Sequence, residues 1–478
     1  MASMAPFLPR FGRTWDSENA AHLARRAGFG ATPAELERLV ALGLDGAVAH
    51  FLDWPAAEPG LDSEQATHGS ALDDIGEGVE NAATAVTRLR TQWLWRMVGT
   101  AHPLREKLAL LWHDHFATAE SKVIRIELLR RQYATFQRLG VGRFRDLLGE
   151  VSRDPAMLVY LDNRVSKKKH PNENWARELC ELFTLGVNNY QQRDVAEIAR
   201  VFTGWTTNDR NKGPFVFEAG NHDPNDKLVL GHVISGRAGA EGEREGDEVL
   251  DLLTARPHCA QFIATKLATW FLAHDPPRLV VERLARAFAR EGTSVRETLR
   301  ELFTSDVFYA PEFRFRMHKT PVEWAVSAAR LLGVRNSHLL GLEQRLARMG
   351  MLLFEPPSVA GWEGGRNWAQ SSQLAERFEL ALVLSRSGHS KRAVFGAPAT
   401  DYDDLGSPLA EDSAALVDLL CARLLQRELE PEAMAVVIAH LDGAIPLEGS
   451  GPTREHLCRE RVRAGIHMLL CSPEFSLA

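Results

Sequence analysis

The stretch Asn172 to Val187, NENWARELCELFTLGV, sets the strongest constraint on how this chain folds. Trp175, Leu179, Leu182 and Gly186 recur at helical spacing and require a partner surface. Asn174, Glu178 and Glu181 follow at i, i+4 and i+7 and form a polar stripe directly beside it. Carboxylates flanking a buried face need a cation, a metal or a hydrogen-bond donor. The segment predicts a helix over 174–185 packed into a helical core, with a candidate site along one edge.

Helical signals recur on both sides. Thr32-Pro33-Ala34-Glu35 is a capping box with proline at the first helical position, and Gly43 closes that helix. Further helices are predicted over about 78–98, from Pro103 through Trp112, over 123–139, over 144–151, and from a cap at Asp194 to Phe202. The middle differs. Phe215-Val216-Phe217 and 227–231 are strand-like runs around a turn-rich 220–225, which predicts a small β-hairpin or an extended loop. Residues 236–248 are glycine-rich and acidic and read as an exposed connection. The fold class expected is mainly α, one large helical domain over 1–478 with interlocked subregions. A hairpin or loop insertion occupies 205–245, and a surface linker at 385–413 precedes the last helices.

Bulk properties narrow the function. A formal net charge of −7 gives no overall field for nucleic acid, and Lys167-Lys168-Lys169-His170 is the one compact basic cluster. No run approaches the ~20 apolar residues of a membrane span. The five cysteines form no CxxC pair and read as small hydrophobes of a reducing compartment. No secretory leader is visible at the start, so a cytoplasmic location is expected, or export if a leader was removed. Walker loops, dinucleotide fingerprints, H-E-x-x-H and G-x-S-x-G elbows are all absent from the sequence.

Four places carry candidate chemistry. Trp112-His113-Asp114-His115-Phe116 holds the closest-spaced histidine pair, either metal ligands or one surface and one core histidine. On the motif helix, Glu178 and Glu181 can approach one cation, while Arg177 is placed for an ordinary ion pair with Glu181. Asn221-His222-Asp223-Pro224 reads as a site loop or an Asx-type turn, with His222 the better ligand. Phe354-Glu355-Pro356-Pro357 through Gly361-Trp362 is a rigid segment that either walls a cleft or plugs a helix interface.

Several of these blocks resemble the bacterial family called domain of unknown function 1800. They are AHLARRAGFGATPAELERLVALGLDGAV, REKLALLWHDHF, the NEN-x-ARE block with DVAEIARVFTGW, HDPNDKLVLG, HKTPVEW, MGMLLFEPPSVAGWEGG and a final SPEF. The resemblance covers nearly the whole chain, in the family's order. It brings no agreed activity and no catalytic residues. It implies frequent export and, as a partner, a protein of the domain of unknown function 1501 family, which resembles sulfatases and alkaline phosphatases.

The leading expectation is a metal-dependent, hydrolase-like enzyme. Its ligands would be His115, Glu178, Glu181 and His222, with His113 and Asp223 in reserve, around zinc, manganese or iron. Metal-activated water would attack, with Glu178 or His222 in acid–base roles and Arg177 orienting an anionic group. The alternatives are a non-catalytic binding or assembly protein, with Trp205 and Trp362 exposed to a partner, and an iron-dependent oxidoreductase. No nucleic acid and no membrane insertion are expected.

Overall fold

The computed structural model describes residues 10–58, 61, 82–208, 213–334, 341–386, 411–445, 447 and 452–478. The fold is mainly α. Its described strands form two small antiparallel pairs. Many helix starts are written in the sequence. At Thr32 and at Thr320 the threonine side chain accepts the N–H of Glu35 or Glu323, whose carboxylate accepts the threonine N–H in return. Asp16, Asp154, Ser294 and Ser472 cap helices in the same way, each accepting a first-turn N–H.

One hydrophobic core runs from Phe11 to Phe475. The helix Pro103–His115 lies inside it and is buried along nearly its whole length; its buried Glu106 accepts from Trp93 and Tyr133, and its buried Lys107 donates to the carbonyls of Arg25 and Gly28, as buried polar groups require. Around it lie Ala82–Gly99 and Ile126–Leu139, while Pro257–Phe271 packs along Arg278–Arg290 and Ser371–Arg386 along Pro452–Cys471. Among the described residues no helix is long and apolar enough to cross a membrane.

Several sequence expectations need correction. The two strand-like runs do not pair with each other. β2 (Phe215–Phe217) pairs with β1 (Trp205–Thr207), and β3 (Lys227–Val229) with β4 (His232–Ile234). Leu230 and Gly231 join the second pair with φ of 48° and 81°, the positive values of a two-residue hairpin turn. Residues 236–248 are not simply an exposed connection, because a helix starts at Glu243 and buries Glu245 completely. Asp194 is the third residue of its helix; Gln191 is the cap, and its N–H is held by the Asp194 carboxylate. The helix expected over 123–139 is split at Ile124, which turns left-handed. Trp205 is buried rather than exposed. Most of the 385–413 linker lies outside the described residues.

Candidate active site

The motif helix is α-helical from Glu173 to Glu178 and then widens into a π-turn over Leu179–Thr184. Leu185 and Gly186 both donate to the Cys180 carbonyl, which closes the wide turn. Its polar side chains are occupied locally. Tyr190 Oη–H donates to Glu181 at 2.5 Å. Arg177 donates to Gln192 at 2.8 Å and lies 3.7 Å from Glu173, so its ion pair is with Glu173 instead of Glu181. Burial and then the neighbouring Glu181 push the half-buried Glu178 carboxyl up.

The histidines lie elsewhere. His115 sits in an aromatic cage of Trp112, Phe116, Phe144, Phe183 and Phe262, and its Nε2 donates to the Phe183 carbonyl at 3.2 Å. His222 donates through Nδ1 to the Thr203 carbonyl at 2.9 Å, and its Nε2 is 3.2 Å from Glu245. Burial alone would raise Glu245, but His222, Lys227 and the Arg237 N–H hold it below its ordinary value. Asp223 forms an Asx turn with Asn225 and pairs with Arg200 at 2.8 Å. Against the pull of burial, these bonds take it down to about 2. Among the described residues no group of three or more His, Cys, Asp or Glu side chains is placed to hold a metal ion. The set His115, Glu178, Glu181 and His222 is not brought together.

The end of the helix Pro103–His115 instead pins three segments with three consecutive side chains, about 100° apart around the helix. His113 Nε2 accepts the Phe354 N–H at 2.9 Å. Asp114 Oδ1 accepts the Trp362 N–H at 2.8 Å. His115 holds the π-turn. Burial and then Arg90 push His113 down to about 3, and burial and then Lys266 push His115 well below its usual range. Both rings are therefore neutral at pH 7. Gly361, at φ 83°, lets the proline-rich loop reach Asp114, because a Cβ there would stand 2.3 Å from Asp114 Oδ1.

Beside Asp114 opens a cavity of about 290 Å³. Helix Pro257–Phe271 gives it Phe262, Lys266, Thr269 and Trp270, and His274 follows just beyond. The start of helix Pro321–Leu331 gives His318, Thr320 and Glu323. The loop after Gly361 gives Trp362, Gly365 and Trp368. Arg26 and Ala478 complete the wall. Lys266 Nζ is 3.7 Å from Asp114 Oδ2. Burial raises the Asp114 carboxyl even so, although Lys266 and the Trp362 N–H pull it the other way. Burial, followed by Arg26 for His274 and by His274 and Arg377 for His318, lowers both cavity histidines. His274 Nε2 and His318 Nδ1 are buried ring nitrogens without a hydrogen-bond partner among the described residues.

Three of the sequence blocks quoted above, WHDHF, HKTPVEW and GWEGG, meet at this cavity through Asp114, through His318 and Glu323, and through Trp362 and Gly365. The family described as protein of unknown function (DUF1800) matches residues 22–477. The chain belongs to the DUF1800 family. No curated protein and no solved structure matches it.

In this DUF1800 chain the sequence reading named Asp114, Trp362 and the HKTPVEW block without joining them. Arg26 stands inside the quoted AHLARRAGFG block but was given no role there, and Lys266 and His274 were not singled out, because each is a single polar residue in an ordinary helical or loop context. The signal that pointed to the cavity was the spread of the family blocks over distant parts of the chain. The signal taken instead was local charge density on the motif helix.

Proposed function

We propose that this chain is an enzyme of hydrolase type whose acid–base chemistry takes place in the cavity beside Asp114. The observation that carries the reading is a carboxyl held above its ordinary range in the same cavity as two imidazoles that burial keeps neutral, His274 and His318. Groups whose environments push them apart in this way are suited to opposite proton-transfer roles. In the step proposed, water attacks the electrophilic carbon and gives its proton to His318 or His274. The bond to the leaving group breaks as Asp114 passes its proton to that group, and Lys266 stabilises the carboxylate left behind. The volume suits a molecule the size of a monosaccharide or an amino acid, and Trp270, Trp362 and Trp368 offer it apolar faces.

The second reading is a binding protein using the same cavity. It is favoured by the occupation of Asp114, whose oxygens already meet the Trp362 N–H and Lys266. The five free cysteines support a reducing, cytoplasmic setting, which cell fractionation tests.

Turnover of chromogenic esters and glycosides between pH 5 and 8 separates the two readings. An enzyme of this design converts at least one panel compound, at a rate that depends on pH. H318N or H274N, whichever removes the base, lowers kcat/KM by roughly 100-fold or more and changes that pH dependence. A folded protein that binds panel compounds without converting any of them belongs to the second reading.

A further inference from the structure

The wall of this cavity formed by Arg26 and the 317–323 segment is backed by an unbalanced group of buried cations. Arg25, Arg26, Lys107, Lys319 and Arg377 are each at most 6% exposed. Glu323 is the carboxylate that acts on Arg26, Lys107, Lys319 and Arg377, and it is committed to Lys107 at 2.8 Å; Glu18 acts on Arg25 and is paired with Arg314. Lys107 is fully satisfied, since it also donates to the carbonyls of Arg25 and Gly28. The others are not. Arg377 donates through Nη2 to the Lys319 carbonyl, and its Nε and Nη1 have no partner among the described residues. Arg25 donates through Nη1 to Gln426 and lies 4.2 Å from the centre of the Phe315 ring, leaving Nε and Nη2 open. Lys319 Nζ rests 4.0 Å above the Phe475 ring.

Arg26 is the member that reaches the cavity. Its Nε donates to the Phe271 carbonyl at 3.0 Å, and its Nη2 is held by Trp270 O and Met317 Sδ. Nη1 has no hydrogen bond among the described residues, and it is absent from the fully buried atoms, so it faces the cavity. Buried charge without a counter-charge is costly, and a guanidinium presents N–H groups in the geometry that oxyanions match. We infer that the cavity takes a small organic molecule through an oxyanion, a carboxylate or a sulfate or phosphate ester, seated against Arg26 Nη1. The inference rests on the reading of this cavity as the substrate site, and it adds the charge of the substrate. Burial and then Arg25 push Lys319 down to about 7, the direction that an arriving anion would reverse.

Calorimetric titration of the full chain with acetate, inorganic sulfate and inorganic phosphate, at an ionic strength matched with chloride, tests this and distinguishes the three oxyanions. Saturable one-site binding of at least one of them is expected. R26Q should weaken it by about tenfold or more. T269W, which adds bulk to the cavity from an uncharged, partly buried position of its wall, should abolish it and keeps the test valid if R26Q does not fold. D114N should bind the anion as tightly as the unaltered protein, or more tightly, whatever its turnover. Loss of turnover and loss of anion binding are thereby read separately. No saturable binding of any of the three anions, or binding unchanged in T269W, overturns the inference.

Discussion

Asp114 and its two histidine neighbours show how single residues set this structure. The run His113-Asp114-His115 was legible as unusual, but its meaning was not. Two histidines two apart suggested a metal, whereas burial and one hydrogen bond each made them neutral pins. Sequence spacing cannot show which hydrogen-bond partner a buried ring will find, because Phe354, whose N–H donates to His113, and Phe183, whose carbonyl accepts from His115, come from distant segments. This assignment has a pH consequence. Unfolded, His113 takes up a proton near pH 6.5, whereas folded it does so only near about 3. Between those values the unfolded chain holds more protons, so stability falls as the pH drops from about 6.5 towards 3. H113Q keeps an acceptor for the Phe354 N–H and cannot titrate. Urea unfolding from pH 6.5 to 4 should show its pH slope reduced by up to ~1.4 kcal/mol per unit relative to the unaltered chain. Parallel curves would contradict a buried neutral His113.

Helices and hairpins were largely readable, and their irregularities were not. Capping boxes at Thr32 and prolines at Pro33 and Pro103 mark real helix starts. The π-turn after Glu178 was invisible, because an apolar stripe at 175, 179, 182 and 186 suits either geometry. Strand pairing was misread because the turn at Leu230-Gly231 is short and lacks the usual asparagine. Just past the motif helix, Gly186 packs behind the cavity wall. Its φ is 78°, and an added Cβ would lie 3.1 Å from Phe262 Cδ2, a ring that lines the cavity. Gly231 has φ 81° and nothing within 4 Å of such a Cβ. G231A should therefore show backbone strain alone, about 1 kcal/mol, and G186A about 2 kcal/mol once the Phe262 contact is added. Denaturant midpoints check the order, and equal losses would refute a tight Gly186–Phe262 contact.

At the scale of the whole molecule, one helical core brings residues near both ends of the sequence to one cavity. Met317 and Ala478 exchange backbone hydrogen bonds, and Lys319 N–H donates to Ser476 O at 2.9 Å. The mainly helical class and the family were readable from the sequence, since periodicity and the ordered blocks run along the chain. The cavity was not, since Arg26, Asp114, Lys266, His274 and His318 lie far apart in sequence and only packing joins them. On the function proposed here the motif helix is a brace whose π-turn holds His115, and the chemistry lies on the other side of the HDH run. Turnover of D114N and E178Q, compared with the unaltered chain at equal folded fraction, tests that assignment most directly. D114N should lose roughly 100-fold or more in kcat and E178Q should stay within about twofold; full activity in D114N together with loss in E178Q would return the site to the motif helix.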